Sequence, residues 1–160
     1  MPAIQTSTQV DPRGPRFGAA VTAVVLAAAL VLGPILGLPL LIIQTVAFGA
    51  GSFLGLRYQP YGWVFRHFVR PRLGAPAELE DERPPRFAQS VGFVFAVVGL
   101  IGAFAGSPLV FYVATAFALI AATLNAVFDF CLGCELYLLG RRLLGKPPVD
   151  VSHPVGGTAR

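Results

Sequence analysis

Cys131 and Cys134 are the only cysteines among 160 residues, and they stand three apart in Phe130-Cys131-Leu132-Gly133-Cys134-Glu135. Two thiols at C-x-x-C spacing can close into a disulfide, exchange it with another thiol, or hold a soft metal. A c-type haem attachment needs His after the second cysteine, and residue 135 is Glu. Structural zinc needs four ligands. A zinc site at Cys131 and Cys134 would therefore be shared between two protomers, or draw on His67 or His153. In the thiol-exchange reading Cys131 is the nucleophile and Cys134 resolves the mixed disulfide. Asp129 would support it as a helix cap and Glu135 as a proton acceptor, although carboxylates also oppose thiolate formation. The bland alternative is a pair of small buried apolar side chains. No nucleophile–base pair, phosphate loop or cofactor motif completes a catalytic set, so whether the protein is an enzyme stays open.

What the pair can do depends on the backbone that carries it. On a helix running unbroken through Arg141 the thiols would lie in a late turn, where the dipole raises their pKa. If the chain instead breaks near Asp129, that residue can N-cap a new helix, with Cys131 in a first turn that favours thiolate. Leu136, Leu139, Leu143 and Leu144, with Arg141 and Arg142 beside them, suit such a separate amphipathic helix.

The rest of the chain is apparatus for a membrane. It is 55% hydrophobic and 12% charged, against about 25% charged in soluble domains. Phe17 to Leu56 and Phe87 to Phe128 carry no charge. Each run of about 40 residues would be roughly 60 Å as one helix, twice a bilayer core of about 30 Å. Gly33-Pro34, Gly37-Leu38-Pro39 and Gly106-Ser107-Pro108 break the runs near their middles. The expected fold is therefore all-α: a polytopic membrane protein with four transmembrane helices near 17–32, 39–56, 87–105 and 109–128. A disordered tail over 1–12 would precede the membrane domain at 13–144, and a polar tail over 145–160 would follow.

All twelve basic residues fall outside the two runs, and neither hairpin tip is charged. The positive-inside rule then places both termini and the central loop in the cytoplasm of a cell that holds the protein in its plasma membrane. The net charge of +4 is spent on topology; no basic block interleaved with aromatics points to nucleic acid. An ion pathway would need ionisable groups at depth, and only Gln44 and Thr45 lie mid-span, with Asn125 near an end. Gln44 is expected to hydrogen-bond across helices. Small residues repeat every four positions at Ala47, Gly51 and Gly55, and at Ala114, Ala118, Ala122 and Ala126. They suit close helix packing within the chain or a homo-oligomer face.

Asp11-Pro-Arg-Gly-Pro-Arg-Phe17 recurs as Asp81-Glu-Arg-Pro-Pro-Arg-Phe87. The first segment could be a cleaved signal peptide, but its internal copy favours a retained span. Two hairpins entering from one side form a parallel repeat about an axis along the membrane normal. Proline tolerates a first helical turn, and Arg13, Arg16, Arg83 and Arg86 can anchor it by snorkelling to headgroups of the lipid bilayer. Trp63 belongs to an interfacial aromatic belt, and Trp63 to Arg70 suits a helix lying on the cytoplasmic leaflet. His67 reads as an interfacial ring, and Glu78 to Glu82 as a solvated loop.

The two D-x-R-x-P-R-F copies, with Asn125-x-x-Phe128-x-x-Cys131-Leu-Gly-Cys134-x-Leu-Tyr137, resemble a bacterial domain-of-unknown-function family of small four-span membrane proteins. The resemblance covers roughly Asp11 to Leu139, and the C-L-G-C ending is its most specific element. Such proteins are similar to membrane proteins associated with thioredoxin and sulfur metabolism. That implies thiol chemistry and a thioredoxin-like or sulfurtransferase partner.

Overall fold

The computed structural model describes residues 8–145 and the backbone strand at 153–154. Strand β1 (Gln9–Val10) leads into α1 (Arg13–Leu36). Inside α1, Gly33 takes φ 77 and ψ −177, a conformation that side chains with a Cβ avoid. Pro34 follows, so regular helix stops at Leu32, where the sequence predicts the first break. A Cβ on Gly37 would lie 2.2 Å from the Ala29 carbonyl oxygen, which makes glycine obligatory at this corner.

Helix α2 (Leu38–Gly49) runs on as a π-helical stretch, π1 (Ala50–Leu54), and ends at Gly55 with φ 101. The loop holds α3 (Pro60–Val64), a second π stretch π2 (Phe65–Val69) and α4 (Arg70–Leu73). Strand β2 (Glu78–Asp81) then leads into α5 (Arg83–Phe104), followed by α6 (Pro108–Phe128), α7 (Leu132–Leu143) and β3 (His153–Pro154).

Three described helices, α1, α5 and α6, are long and apolar enough to cross a membrane, and the chain reads as a membrane protein. Of the four expected spans these are three, and the remaining one is the shorter apolar segment Leu38–Leu54. The segment expected at 39–56 is the 12 residues of α2 and the 5 of π1, roughly 25 Å at 1.5 Å per residue. Gly37 and Gly55 bound it on either side.

The bundle packs α1 against α2 and α6, and α5 against α2 and α6. Leu26, Leu41, Phe48, Ala96, Phe111 and Ala118 form its core. Ala47, Gly51 and Gly55, and Ala114, Ala118 and Ala122, are all buried, so these rows are spent on packing within the chain; Ala126 at the end is half-buried. Large apolar side chains such as Val31 (87% exposed) and Ile35 (84%) point outward, as a lipid-facing surface requires.

The two motif copies fold alike. Asp11 Oδ1 accepts the backbone N–H of Arg13 at 3.0 Å, and Asp81 Oδ1 accepts that of Arg83 at 2.8 Å. Each Asp also pairs with the guanidinium of the same Arg, at 2.9 and 4.0 Å. Arg16 Nε donates to the Ala126 carbonyl at 3.1 Å. Arg86 donates from Nε to Ser52 (2.8 Å) and from Nη2 to Phe53 (2.9 Å). Each arginine thus satisfies last-turn carbonyls that a helix cannot bond internally. Strands β1 and β2 pair antiparallel, Gln9 with Asp81 and Val10 with Glu80, and β3 adds on the far edge of β2.

Two loop expectations change here. Glu78 to Glu82 is not a solvated loop: Glu78–Asp81 is the central strand of this ribbon, and Asp81 is buried under its bonds to Arg83. Of the tail expected over 1–12, residues 1–7 lie outside the described residues, while Gln9–Val10 are strand. The polar tail over 145–160 lies outside them too, apart from Gly145 and the backbone of 153–154.

Candidate functional site

The dithiol site is built by a chain reversal. Helix α6 ends at Phe128, and Asp129 takes the left-handed conformation (φ 56), which Asp tolerates better than most residues. The N–H groups of Asp129 and Phe130 both reach back to the Leu124 carbonyl. Cys131 is then extended (φ −83, ψ 96), and α7 starts at Leu132. Of the two backbones left open by the sequence, the broken one is observed.

Its cap differs from the expectation. Asp129 closes α6 and does not cap α7, because Asp129 and Phe130 are consumed in reversing the chain. The N-cap is Cys131 itself. Its Sγ accepts the Cys134 N–H at 3.3 Å, and its carbonyl accepts the Glu135 N–H at 3.0 Å. The two sulfurs stand at disulfide distance, with Cα atoms 5.1 Å apart. Both cysteines are half-buried. Glu135 lies exposed in the first turn of α7, where a carboxylate suits the helix dipole.

Gly133 holds this turn against α5. It is buried, and a Cβ there would come within 2.6 Å of the Ala88 Cα. Phe87 and Tyr137 pack nearby with ring centroids 5.7 Å apart. Leu136, Leu139, Leu143 and Leu144 are exposed along α7, the apolar stripe predicted from the sequence.

Among the predicted anchors, Arg16 forms an ion pair at 3.8 Å with Asp129, two residues before Cys131. Arg13 serves the Asp11 turn and donates to the Gly74 carbonyl at 3.0 Å. Arg83 and Arg86 serve the equivalent turn and the end of π1. Trp63 is half-exposed, its ring tilted against that of His67 with centroids 4.4 Å apart, and its carbonyl lies 2.9 Å from His67 Nδ1. Glu80 has its carboxyl pushed up by partial desolvation first, and then by the charges of Asp129 and Glu78. That places a carboxyl with raised proton affinity on the ribbon near the reversal.

Beneath Cys131 lies a cavity of ≈ 320 Å³ between α1, α5 and α6. Thr22, Ala88, Gln89, Phe117, Asn125 and Cys131 are among its walls, and among the described residues no charged side chain is. Two hydrogen-bond chains end on it. Tyr61 donates to Gln44 Oε1 (2.9 Å), and Gln44 Nε2 donates to Thr22 Oγ1 (3.2 Å). Gln59 Nε2 donates to Gln89 Oε1 at 3.2 Å. Gln44 does bond across helices as expected, but the sequence reading missed Thr22 and Gln89. Neither differs in type from the polar residues that often line helix contacts, and only the fold sets them around one space.

A second cavity of ≈ 290 Å³ lies on the loop side, walled by Asp11, Arg57, Gln59, Arg66, Arg70 and Glu82 among others. Burial, then repulsion from Arg57 and Arg70, lowers the proton affinity of Arg66. Burial raises the Asp11 pKa, but bonds from Arg13 outweigh it, and the net shift is downward. Among the described residues no three His, Cys, Asp or Glu side chains gather to hold a metal.

Comparison with curated proteins and with solved structures found no match. Residues 10–142 match the family described as Domain of unknown function (DUF4395), and the chain belongs to that family.

Proposed function

We propose that this DUF4395 protein is a membrane-held dithiol/disulfide carrier, exchanging electrons or sulfur with a thioredoxin-like or sulfurtransferase protein in the cytoplasm. The observation that carries this reading is the cap: Cys131 Sγ sits at the head of α7 and accepts the Cys134 N–H. A helix N-terminus favours negative charge, so thiolate at Cys131 is stabilised where attack or departure needs it. Cys134, one turn on and at disulfide distance, is the resolving thiol. Exposed Glu135 accepts the proton that Cys134 releases.

The test is the alkylation rate of the reduced protein against pH, followed by titration in a redox buffer. Cys131 is expected to titrate below the free-cysteine value of about 8.5, and the pair to close reversibly. A value at or above that, with no disulfide under mild oxidant, leaves two structural thiols on a non-catalytic scaffold. Zinc would then need Cys131 and Cys134 from two protomers, and metal analysis reads that outcome directly.

The topology proposed with it has four crossings, as two parallel hairpins with both termini in the cytoplasm. Supporting it, Arg16 and Arg86 each bond the last turn of the other hairpin. In addition, Val10 and Glu80, which correspond in the two motif copies, pair with each other across an antiparallel ladder. Such a pair lies on a local two-fold axis between the copies. The short α2–π1 segment crosses if the bilayer thins or flanking residues snorkel. In a cysteine-free background, Leu36→Cys and Ala105→Cys are expected to react with an impermeant reagent only from outside the cell. Reaction of either tip only from the cytoplasm rejects this topology.

A further inference from the structure

We propose that the cavity beneath Cys131 takes the headgroup of a membrane-soluble quinone, which accepts the electrons of the Cys131–Cys134 dithiol. The proposal rests on the carrier reading and names the second redox partner of the same pair. Three features of the cavity select this chemistry. Its wall is made mainly by α1, α5 and α6, all long enough to cross a membrane, with Phe48 and the Cys131–Gly133 turn completing it, which suits a ligand arriving from the bilayer. Among the described residues it has no charged wall residue, so that ligand is neutral and largely apolar. Its volume of ≈ 320 Å³ is at the small end of ligand pockets, enough for a substituted ring with its tail left in lipid.

The polar groups then distinguish a quinone from an acyl chain. Thr22 Oγ1 already accepts from Gln44, so its hydroxyl hydrogen is left to donate. Gln89 Oε1 already accepts from Gln59, so its amide hydrogens are left to donate. Tyr61 and Gln44 stand behind Thr22 as a donor chain, which strengthens its terminal donor. Two side chains with donors to spare in the wall of one apolar cavity match a ring bearing two carbonyl oxygens. A hydrocarbon tail would leave both unmet. Cys131, in the same wall, puts the dithiol at the ring.

The reaction balances without a further reactant. Both S–H bonds break, one S–S bond forms between Cys131 and Cys134, and two electrons enter the ring. The two protons end on the two ring oxygens, giving the quinol. A disulfide so formed is then available to a soluble thiol partner.

The experiment uses the full chain in nanodiscs, reduced beforehand and mixed with decyl-benzoquinone or, in parallel, with oxidised glutathione. Alkylation counts the remaining thiols, and absorbance follows the quinone. The expected result is two thiols lost per quinone reduced. Thr22→Val and Ala121→Phe should each lower the ratio of the quinone rate to the glutathione rate roughly tenfold, about 1.4 kcal/mol of lost transition-state binding. The ratio cancels any general loss of folded protein. Oxidation by glutathione with the quinone inert overturns the proposal and leaves the carrier reading standing, as does an unchanged ratio in both variants. Failure of both oxidants overturns the two readings together.

Discussion

Gly133→Val should detach α7 from α5 and open the dithiol to solvent. The new Cβ would meet the Cα and Cβ of Ala88 at 2.6 Å. One is a helix backbone atom and the other is fixed to it, so no rotamer change relieves the clash, and α7 must shift bodily. Overpacking of this kind costs about 1–3 kcal/mol, and the shift also loosens the Phe87–Tyr137 contact. The half-buried thiols should then alkylate several-fold faster when reduced, and close to the disulfide more slowly when oxidised. Ala88→Gly removes only one of the two clashing atoms, so the double variant should recover part of the loss. An additive double-mutant cycle, or unchanged alkylation, would show that α7 does not depend on this contact.

The sensitivity of Gly133 was not legible in the sequence, although its neighbours were. C-x-x-C announces itself by residue type and spacing, and the amphipathic leucines of α7 announce a helix by period. The glycine between the cysteines reads as a spacer until Ala88 is set beneath it. The same divide runs through the fold. Gly33-Pro34, Gly37 and Gly106-Ser107-Pro108 give away the hairpin corners because their constraint is local: a positive φ, a missing donor, no room for a Cβ. Uncharged runs give away helix positions to within a few residues for the same reason. The exact end of the second segment, at Leu54 and not Leu56, depends on where Gly55 turns, and a glycine's φ is not written in its neighbours. Asp129 was legible as a cap but not as the cap of which helix, since either use satisfies the same residue preference. The cavity was hidden for a further reason: Thr22, Gln44, Tyr61, Gln59 and Gln89 come from four separate segments, and only tertiary packing joins them.

The paired arginines give the second large effect, and it should be unequal. Arg86→Ala removes two charge-assisted bonds, to the carbonyls of Ser52 and Phe53 at 2.8 and 2.9 Å. Bonds to charged groups contribute about 1.5–3 kcal/mol each when well shielded, and partial exposure of Arg86 brings the expected total to about 2 kcal/mol. Those carbonyls end a π-helical turn that Gly55 closes with φ 101, so no following helical turn can take them over. Arg16→Ala removes one bond to Ala126 at 3.1 Å and an exposed pair with Asp129 at 3.8 Å. Exposed pairs are worth about 0–1 kcal/mol, and α6 keeps its own closure through the Asp129 and Phe130 amides on Leu124. The expected cost is about 1 kcal/mol. Arg86→Lys should recover less than half of the loss, because an ammonium lacks the planar fork that spans two carbonyls. Thermal or detergent unfolding of the four proteins reads the order directly. Equal losses at Arg16 and Arg86 would mean that both arginines act only as headgroup anchors and that the bonds across the hairpins carry none of the difference.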